Sequence, residues 1–171
     1  MTSPPAAALT HLIAGQTGAH ERQLARFDDT QWQEYLDLLS GLFVLAVDRR
    51  FRNGDPAAVI RFVASVRERF DPAGTTIDAT VAETLMHAAL GAHDTLPATA
   101  ETIAAQTMLV VALINDEGLS PTGLTQLLDE TAEMLAATAA VTVAVSEPPA
   151  VDGRPDQPAD ATPDDRPAIP S

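Results

Sequence analysis

The sequence predicts an all-α fold, a single bundle of five or six helices over residues 1–145 followed by a disordered Pro/Asp-rich acidic tail over 146–171. Three observations predict it. Apolar residues recur three and four positions apart through most of the first 145 residues, which is the spacing of one helix face. Gly and Pro fall at intervals of a helix length, where a bundle needs its turns. From Ser146 the composition shifts to seven prolines and six acids in 26 residues, with scarcely a large apolar side chain. Burial cannot offset the entropy of ordering such a segment.

The elements follow in order. "TSPP" (Thr2–Pro5) opens a first short helix whose stripe is Leu9, Leu12 and Ile13, ending near Gly15. Residues 18–29 form a second short helix or a loop, with Leu24 and Phe27 as a weak anchor. In "DDTQWQEY", Thr30 reads as an N-cap and Gln33 completes a capping box, so the next helix is expected over 31–52. Trp32, Tyr35, Leu39, Phe43 and Val47 lie on its broad apolar face, leaving a thin polar strip through Asp37, Gly41 and Asp48. A helix so nearly apolar all round is expected at the centre of the bundle.

Asn53-Gly54 supplies a turn, and Asp55-Pro56 an N-cap with proline at the first helical position. The helix that follows, over 56–70, is expected to bury Val59, Phe62, Val63, Val66 and Phe70. Thr75 and Asp78 match a capping box ahead of a helix ending at Gly91, with Ile77, Val81, Leu85 and Ala88 inward. Residues 98–115 form the second nearly all-apolar, central helix. Gly118 stops it, Ser120 caps the last helix and Pro121 opens it, with Leu124, Leu127, Leu128, Thr131 and Leu135 on one side. Its end, "AAVTVAV", reads as a fraying helix in preference to a strand.

Composition removes several chemistries. The chain has no Cys, so disulfides, thiolate metal sites and cysteine nucleophiles are excluded. It has no Lys either; all ten basic residues are Arg, which removes P-loop, Schiff-base and general-base lysines. A formal net charge of -14 opposes broad binding to nucleic acid. The apolar runs 38–47 and 108–114 fall far short of the ~20 residues that span a bilayer. With no basic, apolar leader at the N-terminus, the expectation is a cytoplasmic protein without membrane association.

Charge is nonetheless polarised. Residues 49–69 carry six Arg against Asp55 and Glu68, whereas residues 70–153 carry twelve acids and neither Arg nor Lys. Arg49, Arg50 and Arg52 close the helix over 31–52, where cations offset the negative end of the macrodipole. Arg61 lies on the exposed side of the next helix. Arg50 shares the bearing of Trp32 and Phe43, and Arg67 sits at the edge of its helix's buried side. Each must snorkel, find a carboxylate or meet a partner molecule. The preferred reading is an internal seam joining these arginines to the acids between Asp78 and Glu133. Arg49, Arg50, Arg52, Arg61 and Arg67 are therefore the candidate contacts for a partner or small anion, with Trp32 and Tyr35 as candidate pocket lining.

Other motifs offer less. Among His11, His20, His87 and His93, only His87 has a carboxylate at i−4, Glu83; neither an HExxH nor an ExxH pattern occurs. No metal or cofactor is expected. Calcium-loop spacing fails at Gly54 and Gly118. The stretch 112–128 has the outline of a helix-turn-helix, but its second helix goes on into Asp129, Glu130 and Glu133, which DNA phosphate would repel. With no catalytic constellation, the expected function is a non-enzymatic interaction or regulatory protein, adaptor- or scaffold-like, with a protein partner or a second copy of itself. The alternative is a sensor of a small anion in an inter-helix pocket built from Arg50, Arg67, Tyr35 and Trp32.

Overall fold

The structure is a computed structural model and describes residues 3–91 and 96–146. Among these residues there are seven helices and no strand: α1 (Pro4–Ile13), α2 (Thr17–Leu24), α3 (Asp29–Phe51), α4 (Pro56–Phe70), α5 (Ala79–Ala89), α6 (Ala100–Glu117) and α7 (Pro121–Ser146). None is long and apolar enough to cross a membrane. The expected tail lies outside the described residues except for Ser146, which ends α7, and His93 lies outside them too.

Short polar side chains start most of the helices. Ser3, Asp55, Asp78 and Thr99 each accept a hydrogen bond from a backbone N–H of the first turn, and Ser120 accepts one from Gly123. Such caps satisfy donors that the helix itself leaves unpaired. Gly118 closes α6 with φ +64°, a left-handed conformation that favours glycine.

The start of α3 differs from the expectation. Asp28, not Thr30, is the cap: its carboxylate accepts from the Gln31 N–H at 2.8 Å, and the Gln31 side chain accepts from the Asp28 N–H at 3.2 Å. Both D-x-x-Q and T-x-x-Q satisfy the capping pattern. The flanking aromatics decide between them, because Phe27 precedes Asp28 and packs edge-on against Trp32 at 5.7 Å. That is the hydrophobic staple of a helix capped at 28.

Seven helices replace the expected five or six because α2 is ordered by a polar anchor that hydrophobic periodicity does not register. Its only buried residue is His20, which shares a hydrogen bond of 3.0 Å with the buried Tyr35 hydroxyl of α3. Desolvation lowers the pKa of His20 and raises that of Tyr35 to about 12, so the contact is between neutral rings at neutral pH. Gln23 adds a hydrogen bond to the Pro4 carbonyl at the start of α1.

Helix α3 packs against α1, α5, α6 and α7, and α6 packs against α1, α3, α4 and α5. Leu39, Leu42 and Val47 from α3 and Leu109 and Leu113 from α6 are among the largest wholly buried side chains. The exposed strip of α3 runs through Gln33, Asp37, Ser40 and Val44. Gly41 is not on it. A Cβ at Gly41 would stand 2.8 Å from the Thr131 methyl and 3.3 Å from Leu135, so α3 and α7 approach closely at this glycine.

Two other faces are corrected. In α5 the wholly buried residues are Ala82 and Met86, about one residue round from the expected Val81–Leu85–Ala88 line, which is half-buried. Packing on α3, α4 and α6 together leaves no single inward line on this helix. In α4, Val59, Phe62, Val63 and Val66 are buried, whereas Phe70 is 42% exposed at the helix end and lies under the Arg69 guanidinium.

Candidate functional site

Arginines from the ends of α3 and α4 meet carboxylates of α6 and α7. The Arg50 Nη1 donates to Asp116 at 3.0 Å, and Arg69 takes the same carboxylate through both Nη atoms, at 2.8 and 3.3 Å. Arg50 also lies over Phe62, its Cζ 4.7 Å from the ring centre, so its apolar bearing is met by a cation–π contact and its charge by Asp116. Arg49 pairs with Glu130 of α7. Arg52, the residue after α3, turns back on Asp48, and Arg61 reaches the exposed Asp55 cap at 3.4 Å.

The seam is therefore made by Arg49, Arg50 and Arg69 with Asp116 and Glu130. Arg69 is not among the arginines the sequence singles out, and Arg67, which is, does not join the seam. Arg67 lies against Gly74 in the α4–α5 connection, and its Nε is buried with no hydrogen-bond partner. A helical wheel gives bearings within one helix and is silent on which helix ends converge, so it could not separate the two. In the same connection, Asp71 is buried and accepts the backbone N–H groups of Thr75, Thr76 and Ile77. These hydrogen bonds, that from Ile77 foremost, hold its carboxyl below the usual carboxylate range.

Hydrogen bonds from Arg69 and then Arg50 likewise lower the pKa of Asp116, whose side chain is 26% exposed. A carboxylate with a depressed folded-state pKa contributes stability above its unfolded pKa, and that contribution is lost as pH falls through the folded value. Asp116→Asn is expected to cost about 1 kcal/mol at pH 7. In urea melts, the gap to wild type should narrow as pH falls below the ordinary value of 3.8. A gap independent of pH would mean that Asp116 contributes through packing alone.

The aromatic candidates are not brought to the arginines. Trp32 is 39% exposed and packs on Phe27 and Tyr35, while Tyr35 is bonded to His20. Arg50 stands eighteen residues further along α3, about 27 Å at the helical rise. One small anion cannot touch both ends, so the expected four-residue pocket does not assemble. Among the described residues no three metal-ligating side chains come together. His87 faces a shallow depression with Asp48, Arg52 and Asp55.

Helices α1, α3 and α7 hold a feature that sequence reasoning does not single out. Helices α1, α3 and α7 enclose a groove of about 470 Å³ lined by Ala7, Glu34, Leu38, Leu128, Asp129 and Ala132 among others. It runs on into a second hollow of about 550 Å³ between α3 and α7, lined by Asp37, Leu135, Ala136 and Ala139. Glu34, Leu38 and Ala132 line both. Beyond it, α7 is exposed from Ala136 to Ala140 and bears no charged residue between Glu133 and its end at Ser146. The legible signal is this uncharged stretch, of which the sequence reading takes up only "AAVTVAV", as a fraying helix.

Comparisons with protein-family models, with curated proteins and with solved structures find no match.

Proposed function

We propose that this chain is a non-enzymatic helical interaction protein, adaptor- or scaffold-like, that docks a protein partner along the groove of α1, α3 and α7. The observation carrying this reading is the continuity of the groove. From Thr125 to Ala139 its α7 wall spans fifteen residues, about 21 Å or four helical turns. Leu38, Leu128, Ala132, Leu135, Ala136 and Ala139 put apolar side chains along its length among polar ones, and a long groove of that mixed lining fits an amphipathic helix better than a compact metabolite. The arginines, which offered the other candidate surface, are mostly engaged with carboxylates of the chain itself.

Ala132 lies on the groove wall where the two hollows join and is itself exposed, so Ala132→Trp fills the groove without disturbing the core. Tagged wild-type protein in its native cell is expected to retain a protein that also binds it after separate purification. Ala132→Trp, folded by circular dichroism, should lose that binding. A partner held equally by wild type and Ala132→Trp would refute docking in the groove, and a chain with no partner that stays monomeric by light scattering would refute the interaction reading.

A further inference from the structure

Resting on that reading, we infer that the occupant of the groove is a cationic amphipathic helix of another protein. Charge carries the inference. The groove is lined by three carboxylates, Glu34, Asp37 and Asp129, and by no arginine. Among the described residues none of the three is in an ion pair, whereas Asp48, Asp55, Asp116 and Glu130 all are. The one other titratable lining group, His11, is bonded to Gln16 at 2.7 Å. Between the acids the floor is apolar, with Leu38 and Leu128 almost wholly buried. Apolar anchors at i, i+4 and i+7 of an incoming helix would meet this floor, and Lys or Arg on its flanks would meet the carboxylates.

The same charges oppose the alternative occupants. The chain's own segment beyond α7, residues 147–171, has six acids against two arginines. A second copy would set these carboxylates against their own symmetry mates in a molecule of formal net charge -14. Like charges brought together across an interface oppose binding.

The test uses the full chain and three synthetic 18-residue helical peptides. One has a Leu/Ala face and Lys flanks, the second has Glu for Lys, and the third has the Lys content of the first with a scrambled apolar face. Calorimetry is expected to show binding of the first peptide only. Glu34→Gln, Asp37→Asn and Asp129→Asn combined should weaken it about tenfold, as the loss of three surface ion pairs implies. Glu68→Gln, Glu83→Gln and Glu117→Gln combined, which remove equal charge away from the groove, should leave it unchanged. Ala132→Trp should abolish it, with Ala136→Trp as a second blocking variant.

Equal weakening by the two triple variants, or equal binding of the scrambled peptide, would reduce the effect to overall charge and overturn the inference. Binding of the Glu peptide, or of none of the three, would overturn it as well. If a native partner is still lost on Ala132→Trp in that case, the docking reading survives and only the assigned chemistry falls.

Discussion

Gly41→Val is expected to destabilise the fold by about 3 kcal/mol, although valine is the better helix former. The cause is the approach of α3 to α7. A Cβ at this position would sit 2.8 Å from the Thr131 methyl, and Leu135 crowds it from a second side at 3.3 Å. Thr131 cannot readily turn away, since it is wholly buried and its hydroxyl donates to the Leu127 carbonyl at 2.8 Å. Valine adds two further methyls, so the helices must separate. Thr131→Ala in the Gly41→Val background should recover about 1 kcal/mol, because it removes the nearest obstacle and leaves Leu135. Strict additivity of the two substitutions in urea melts would mean that the strain lies elsewhere. The same separation would widen the groove, so Gly41→Val should also weaken binding of the cationic peptide.

Leu109→Ala is expected to cost a similar amount, about 3 kcal/mol, through the opposite fault. Leu109 is wholly buried on α6, the helix that packs on α1, α3, α4 and α5. Truncation loses the transfer energy of the side chain and leaves a cavity that the surrounding core can close only in part. The melting temperature should fall by about 10 °C. Leu109→Met, which keeps the volume, should cost about 1 kcal/mol or less. If Leu109→Ala were as mild as Leu109→Met, the packing around α6 would have to be loose enough to collapse.

Both positions mark a limit of legibility. Leu109 was readable, because an apolar residue on an almost wholly apolar helix has few ways of being exposed. Gly41 was not, because its bearing beside Asp37 suggested a solvent strip. A glycine in the middle of a helix carries a propensity cost of roughly 1 kcal/mol and so hints at a packing reason. Only the partner helix reveals that reason. The cap of α3 shows the same limit on a smaller scale: two patterns overlapped, and the Phe27–Trp32 contact chose between them.

The arginines divide in the same way. The bearing of Arg50 toward the apolar side was readable from the wheel, with a carboxylate partner as the preferred of three ways to meet it. That Asp116 would serve Arg50 and Arg69 together, and that Arg67 would be left with an unpartnered Nε, depended on where two helix ends meet in space.

By itself the sequence determined the all-helical class, most helix boundaries and the polarity of charge along the chain. These follow from periodicity, capping and composition, which act over a few residues. Tertiary structure alone decided the tight α3–α7 approach, the sharing of Asp116 and the acid-lined groove of α1, α3 and α7. Each of these joins residues dozens of positions apart, and their proximity is set by how helix faces pack, a long-range choice that no local pattern contains.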